Sequence, residues 1–457
     1  MKFFGTDGIR GTWGQAPFDE YTLAAIAAAF ADHAAARPGA AGETAGKVVI
    51  GHDGRASAGD ITGALARAFS ARGLAVESTG LTSTPSLAYA ARAGRYRLGV
   101  MISASHNLAA DNGLKLFGGD GKKIADADEE AIEELIRGHL VTPPSAGGDG
   151  KVALKNTLEG MYAQHLQHLL SDFPAPPALT MVVDCANGGT SHIAPDLLRG
   201  QHFTVIPIHY APDGHNINDR CGALHPETCA AEVKSREADL GLSFDGDGDR
   251  LLVADMKGKI LSGDHLLLAM VLAAKKRGTL KGNGAVGTTM SNFFLEEAFA
   301  AEGLELVRAD VGDRNVAREM TARGMNFGGE QSGHLISSDH APHGDGLLTA
   351  LLFIAALGEL DTTADQFFKA HTPYPQGLKS LRVPDKRPLE QLDGLNAEIK
   401  TLEDELHGHG RVVVRYSGTE PKIRLMVEAP RSAAVRDALH RLETAAHKDF
   451  DLPAPKS

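Results

Sequence analysis

Asp245, Asp247 and Asp249 alternate with glycines in the segment DGDGDR. The glycines permit close backbone approach, so three carboxylates gather in one tight turn. They repel one another there unless a cation holds them, and a hard divalent ion with oxygen ligands is the simplest answer. Mg2+ suits such a site where the chemistry concerns phosphate. The twelve-residue calcium loop with its closing glutamate does not fit so short a segment. Without a metal, the same residues read as a solvent-exposed Asp/Gly turn.

The segment ISASHN offers Ser103 and Ser105 with His106 alongside. No G-x-S-x-G elbow surrounds either serine, so a hydrolase triad is not supported. A serine here acts as a nucleophile only toward an electrophile such as phosphorus held in place for it; otherwise it caps a turn. Ten residues beyond Ser105, Lys115 lies in ADNGLKLF, where it could neutralise phosphate oxygens or relay a proton. Asn112-Gly113 reads as a turn that folds this lysine back toward the serines.

Three further segments carry polar groups between glycines. RYSGTEPKIR supplies the Ser417 and Thr419 hydroxyls, a permissive Gly418, and the guanidiniums of Arg415 and Arg424. Such a set cradles a phosphate through bidentate arginine contacts, or forms a charged hairpin turn. GGEQSGH concentrates Glu330, Ser332 and His334; the carboxylate either accepts sugar hydroxyl or ammonium hydrogens or caps a helix. GTDGIRG places Arg10 in a glycine-rich turn that is not the dinucleotide fingerprint.

These groups need rigid elements to position them. Leu23, Ile26, Ala27 and Phe30 recur at helical spacing and predict a helix over 20–33. A strand at 47–51, a helix over 60–72, a strand near 75–78 and a helix near 86–93 follow. The apolar run 97–102 is then a buried strand that delivers Ser103, Ser105 and His106 at its end, where α/β units place their chemistry. PPSAGGDG at 143–150 reads as a linker region or as a surface loop inside a domain. A helix at 157–171 and a strand at 180–185 open a second α/β unit, in which DGDGDR joins two apolar strands. An apolar helix over 263–274 opens a third unit, with helices at 292–301 and 346–359. HTPYPQG at 371–377 reads as a hinge. The remainder pairs strands at 411–415 and 423–429 around SGTEP and ends in a helix over 432–447, a small α+β domain.

At 457 residues the chain is too long for one hydrophobic core. Its 43% hydrophobic and 23% charged content is that of a folded soluble protein. A formal charge of -12 argues against a broad nucleic-acid surface, which needs clustered Lys and Arg. Cys185, Cys221 and Cys229 have neither zinc-ligand spacing nor disulfide-scaffold density and read as buried thiols. No long apolar stretch reads as a signal peptide or membrane span, so a cytoplasmic location is expected.

GTDGIRG, SASHN with DNGLK, DGDGDR, GEQSGH and SGTEP, in this order, resemble the motifs of the α-D-phosphohexomutase family, and they spread from residue 5 to residue 421. KFFGTDGIRG, AVGTTMSN, VGDRNV and Gln331, where relatives acting on neutral hexoses usually carry Met, resemble its amino-sugar branch. The resemblance implies a four-domain α/β architecture: three related α/β domains and a smaller C-terminal α+β domain around a central cleft. The expected limits are 1–155, 156–260, 261–370 and 371–457.

It implies that Ser105, rather than Ser103, carries a phosphate, and that Asp245, Asp247 and Asp249 bind Mg2+ together with an oxygen of that phosphate. Arg250 would order the metal loop, and Arg10 and Lys115 would approach the transferring group. Glu330 and Ser332 would grip the sugar, with His334 relaying a proton or positioning it. Arg415, Ser417, Gly418, Thr419 and Arg424 would hold the phosphate that is not reacting. The implied reaction interconverts glucosamine 6-phosphate and glucosamine 1-phosphate through glucosamine 1,6-bisphosphate, which, or a related hexose bisphosphate, also primes the enzyme. No nucleic acid or membrane partner is implied, and a homodimer is left open.

The sequence departs from the family pattern at Leu108, Ala109 and Ala110, where a proline and an aromatic are common. Losing the proline predicts a less restricted serine loop. GHDGR at 51–55 stands where GRDTR is usual, and Asn315 where Tyr is common. Three other functions compete: a mutase of neutral hexose phosphates, a catalytically weakened phosphosugar-binding protein, and a metal-dependent phosphatase.

Overall fold

Through residue 170 the chain alternates short apolar segments with helices. It forms β1 (Ile9–Thr12), α1 (Glu20–Ala36), β2 (Lys47–His52), α2 (Ala58–Ala71), β3 (Ala75–Leu81), α3 (Thr84–Ala93), β4 (Leu98–Ile102), β5 (Asp111–Gly118), α4 (Asp126–Val141), β6 (Val152–Leu154) and α5 (Thr157–Leu170). The computed structural model describes residues 2–5, 7–37, 46–144, 147–155, 157–170, 173, 178–200, 203–417 and 421–453. Two compact units result, Met1–Thr288 with Ala309–Phe368, and Thr289–Arg308 with Lys369–Ser457.

The first sheet has the order β1-β5-β4-β2-β3-β6. β4 is buried at all five positions, as a central strand covered on both faces must be. Ile26, Phe30, Ile61, Phe69, Ile132 and Ile136 from α1, α2 and α4 close one face of the sheet. Each such side chain contributes roughly 1.5–3 kcal/mol on burial. Asp19 starts α1 by accepting from Thr22 N. The segment DNGLKLF, expected to turn at Asn112-Gly113, is instead the body of β5, antiparallel to β4 with Lys115 opposite Met101. The turn lies earlier, in residues 105–110. Gly113 is required by proximity rather than by turning, because a Cβ there would sit 2.1 Å from Ser103 O.

The second sheet gathers β7 (Thr180–Asp184), β8 (Thr204–Ile208), β9 (Leu240–Phe244), β10 (Leu251–Asp255) and β11 (Ile260–Leu261) in the order β11-β10-β9-β7-β8. α6 (Ile193–Arg199) and α7 (Pro226–Ser235) connect its strands. β9 and β10 form a hairpin whose last pair is Phe244 with Leu251, so residues 245–250 are its loop. Cys185, Cys221 and Cys229 are buried free thiols in this region.

The third region begins with α8 (Gly263–Arg277) and β12 (Gly284–Thr288). After α9 (Phe293–Ala301) and β13 (Glu305–Ala309) it continues through α10 (Asp313–Arg323), β14 (Phe327–Gly329), β15 (Leu335–Ser337), α11 (Gly346–Glu359) and α12 (Ala364–Ala370). β14 is parallel to β12 and antiparallel to β15. Among the described residues no single helix is long and apolar enough to cross a membrane. α11 and α12 reach that apolarity only as a pair bent by 79°, and α11 is almost wholly buried.

In the other unit, β16 (Gln376–Arg382), β17 (Arg411–Tyr416) and β18 (Lys422–Glu428) form a sheet of order β16-β18-β17, backed by α13 (Asp393–Leu406) and α14 (Ser432–Asp449). The segment Thr289–Arg308, which includes α9, belongs with this unit. Arg411 donates to Thr289 O and Ser291 O, and Asn292 bonds the backbone of Tyr374.

Candidate active site

β4 ends at Ile102, and the chain leaves it through Ser103 and Ser105, both buried. Ser105 has φ +53°, a left-handed conformation that non-glycine residues rarely adopt. Its N–H donates to Ser103 Oγ at 2.8 Å, which makes Ser103 a support for the turn. Its own hydroxyl donates to Asp245 Oδ2 at 2.8 Å and lies 3.2 Å from His106 Nδ1.

The aspartate loop is fixed from three sides. Gly246 O, Asp247 O and Gly248 O accept from the amides of Gly189, Thr84 and Gly346. Gly246 cannot be larger, because a Cβ would meet Ser105 O at 2.7 Å and Asn218 Nδ2 at 2.6 Å. Asp245, Asp247 and Asp249 each present an oxygen within 4.8 Å of the others. All three are buried, and Asp247 Oδ1 has no hydrogen-bond partner among the described residues. Burial, then the neighbouring Asp249 and Asp247, push the Asp245 carboxyl well above the usual carboxylate range. Converging anionic oxygens with an orphaned acceptor fit a hard cation.

Lys115, almost fully buried on β5, balances this charge. Its ammonium lies 2.8 Å from Asp247 Oδ2, 3.0 Å from Asp249 Oδ2 and 2.9 Å from Asp7 Oδ2. Burial alone would lower its pKa, but these carboxylates raise it well above the ordinary lysine value. Arg250 donates its backbone N–H to Asp245 Oδ1 at 3.2 Å, and its guanidinium is 3.9 Å from both Asp245 and Asp249. Arg10, on β1, donates to Ala104 O at 3.1 Å and Asp7 Oδ2 at 2.8 Å.

GGEQSGH forms the tip of the β14–β15 hairpin, with Glu330 N donating to His334 O at 3.0 Å. Gly333, at φ +92°, would push a Cβ to 2.2 Å from Leu251 O, and Leu251 N donates to Gly333 O. This contact presses the tip against the start of β10. His334 is buried with Nδ1 3.5 Å from Asp249 Oδ1 and Nε2 3.8 Å from Asp313 Oδ2. Burial would lower its pKa, but Asp249 and Asp313 raise it. Glu330 accepts from Gly312 N at 2.8 Å and from Ser332 Oγ at 3.3 Å. A cavity of 380 Å³ is lined by Asp7, Arg10, His106, Arg250, Glu330 and His334 among others.

Asp7, Asp313 and Lys123 carried no separate signal in the sequence. Asp7 binds Lys115, Lys123 and Arg10, and it sits in GTDGIRG beside the arginine that drew attention. Asp313 in VGDRNV faces His334 and is bonded by Lys123. Burial would raise the Asp7 carboxyl, but Lys115 and Lys123 hold it well below the usual range.

Arg415, Ser417 and Arg424 belong to the other unit; Gly418 and Thr419 lie outside the described residues. Arg415 and Arg424 are directly opposed in the β17–β18 pair. Like charges directly opposite one another destabilise a sheet. Arg424 Nε is buried without a hydrogen-bond partner among the described residues.

Asp184, His209 and Cys221 form a second cluster of ligand-type atoms within 4.8 Å. Asp184 is already engaged by the amides of Ala186 and Gly222 at 3.0 and 2.9 Å and by His209 Nδ1 at 3.2 Å. Burial, aided by Asp184, pushes the Cys221 thiol up to about 12.

Four profiles of the phosphoglucomutase/phosphomannomutase group match in chain order: α/β/α domain I over residues 1–140, α/β/α domain II over 161–258, α/β/α domain III over 262–374 and the C-terminal domain over 378–445. Phosphoglucosamine mutase of Paracoccus denitrificans is 38% identical over 98% of this chain and 99% of its own. Phosphoglucosamine mutase of Granulibacter bethesdensis is 42% identical over 95% of this chain and 94% of its own. Among solved structures, a phosphoglucomutase/phosphomannomutase family protein from Burkholderia thailandensis superposes with a TM-score of 0.78 at 24% identity, covering 97% of both chains. The Aspergillus fumigatus N-acetylphosphoglucosamine mutase complex with GlcNAc-6P and magnesium gives 0.62 at 18% identity, covering 98% of this chain and 96% of that one. These two likenesses show the fold.

Proposed function

Since the chain belongs to the phosphoglucomutase/phosphomannomutase family, we propose that it interconverts glucosamine 6-phosphate and glucosamine 1-phosphate through a phosphorylated Ser105. The observation that carries this reading is the Ser105 hydroxyl, 2.8 Å from Asp245 at the edge of a buried three-aspartate loop balanced by Lys115. The names of the relatives support the amino-sugar substrate. We take the four domains as 1–155, 156–260, 261–370 and 371–457.

In the forward direction phosphoserine 105 gives its phosphoryl group to O1 of glucosamine 6-phosphate. The bond from Ser105 Oγ to phosphorus breaks, a bond from phosphorus to O1 forms, the O1 proton leaves to a base, and Oγ takes up a proton to become the serine hydroxyl. His334 is our candidate for relaying that proton. The resulting glucosamine 1,6-bisphosphate turns so that its O6 phosphate faces Ser105. Transfer of that phosphoryl group back to Oγ breaks the bond from phosphorus to O6; the serine hydroxyl gives up its proton, O6 takes one up, glucosamine 1-phosphate is released and the phosphoenzyme restored. The same bisphosphate, or a related hexose bisphosphate, primes unphosphorylated protein.

Lys115 and Arg10 balance charge on the transferring group, which moves with little covalent help from the protein. Glu330 and Ser332 hold the sugar. Arg415, Ser417, Gly418, Thr419 and Arg424 hold the phosphate at rest. Asp245, Asp247 and Asp249, with an oxygen of the Ser105 phosphate, would hold Mg2+, and Arg250 orders their loop. When bound, Mg2+ offsets negative charge on the nonbridging phosphate oxygens.

The test is 31P NMR of turnover with glucosamine 6-phosphate, glucose 6-phosphate and mannose 6-phosphate in parallel, with Mg2+ and matched bisphosphate primer. Preferential formation of glucosamine 1-phosphate is expected. Preference for the neutral sugars would reassign the substrate, free phosphate alone would make the protein a phosphatase, and no turnover by confirmed phosphoserine protein would make it a binding protein.

A further inference from the structure

Arg55 is the largest of the fully buried side chains and touches no part of the cavity beside Ser105. Its guanidinium is spent on the backbone that follows the serine. Nη2 donates to Ser105 O at 3.3 Å and Asn107 O at 2.8 Å, and Nη1 donates to Asp111 O at 2.8 Å and to Leu108 O. Nε is paired with the buried Asp53 at 3.0 Å. From the second α/β region, Asn218 Nδ2 donates to Ser105 O and Asn107 O, both at 2.9 Å.

Two side chains from separate segments therefore converge on the same two carbonyls, flanking His106. Of the loop's own side chains, Asn107 Nδ2 donates to Asp111 Oδ2 at 2.9 Å, whereas Leu108 is 58% exposed and holds nothing in place. Sequence alone predicts a slack loop, because the expected proline is missing. A fork of guanidinium donors restrains the loop through its carbonyls instead.

We propose that Arg55 and Asn218 form a positioning clamp that holds Ser105 in its left-handed conformation and aims its oxygen at the aspartate loop. Ser105 O is one of the two acceptors that both residues share, and its orientation is set by the same peptide plane that follows the strained residue. Releasing it frees the Ser105 backbone to relax toward an ordinary conformation, which swings Oγ away from Asp245. Neither clamp residue is a catalytic residue, and the inference rests on Ser105 being the phosphate carrier.

The experiment compares Asn218→Ala and Arg55→Lys with the unsubstituted full-length protein. A misplacement of about 1 Å costs on the order of a hundredfold in rate, so Asn218→Ala should lower kcat at least tenfold while KM for the sugar phosphate stays within twofold. Hydrogen exchange of the amides in residues 104–111 should accelerate. Arg55→Lys should show the larger effect, since lysine cannot reproduce the fork; if that variant does not fold, Asn218→Ala decides. A lowered melting temperature with kcat unchanged would make the contacts merely structural and overturn the clamp. If the unsubstituted protein turns over no hexose phosphate, the mutase reading fails on its own. The clamp is then judged by exchange in 104–111 alone, and unchanged protection in Asn218→Ala overturns it.

Discussion

Ser105 Oγ donates to Asp245 Oδ2 at 2.8 Å, joining two loops separated by 140 positions in the sequence. The strand end that bears the hydroxyl and the hairpin that bears the carboxylate belong to different sheets. Their approach depends on Gly246, where a Cβ would collide with Ser105 O.

Ser105→Ala should abolish turnover, by at least roughly a thousandfold in kcat/KM, and intact-mass measurement after incubation with bisphosphate should find no phosphate added. Ser103→Ala should still take up one phosphate. It loses the hydroxyl that accepts from Ser105 N, at a stability cost of about 1 kcal/mol.

Mg2+ should raise the melting temperature of the protein, because an ion bound only by the folded state at a hundred times its Kd adds about 2.7 kcal/mol. Asp247→Asn removes a buried member of the aspartate group and should remove that increase. A thermal-shift titration in chelator-treated samples measures both. An equal Mg2+ response in the variant would place the ion elsewhere.

Lys115→Met leaves the carboxylates of Asp7, Asp247 and Asp249 without their shared buried ammonium. Loss of one partner from a buried ion pair typically costs about 3–5 kcal/mol. Urea unfolding at neutral pH should register a loss of that order, and Mg2+ should recover part of it. A change below 1 kcal/mol, taken as the ordinary range for exposed pairs of roughly 0–1 kcal/mol, would show that the charges are not coupled as described.

Away from the site, burial and then the nearby Asp196 push the Glu159 carboxyl up to about 7. A raised folded pKa means that the folded state binds more protons than the unfolded chain between the ordinary glutamate range and pH 7. Stability falls as pH rises through that window. Glu159→Gln lacks this penalty, so its advantage over the unsubstituted protein should grow from pH 5 to pH 8. The gain is on the order of 1 kcal/mol after allowing for partial exposure. Parallel pH-dependent melts measure it, and a constant offset would contradict the assignment.

The alternating α/β pattern was legible because β4, α8 and α11 are apolar enough to announce burial. DGDGDR and GGEQSGH were legible as well, since each concentrates polar groups between glycines that the structure puts to use at 246 and 333. β5 was misread because Asn112-Gly113 has the local chemistry of a turn. Pairing with β1 and β4 overrides that preference, and only tertiary contact reveals it. Lys115 reaches the aspartates from a strand rather than from a folded-back loop. Asn218 was invisible, and Arg55 appeared only as the last residue of GHDGR, for a related reason: their partners are backbone carbonyls, which leave no mark on the identity of the residues they belong to.

The return of Thr289–Arg308 to the second unit bears on how the chain can be taken apart. A gene fragment starting at Lys369 would encode the three-stranded sheet but omit α9, the carbonyls of Thr289 and Ser291 that Arg411 reaches, and the Asn292 side chain bonded to Tyr374. No single cut in the coding sequence frees this unit with its parts complete. Its core comes from residues 381–452, but the complete unit is drawn from two stretches of gene, and domain shuffling by simple fusion or truncation would have to carry both.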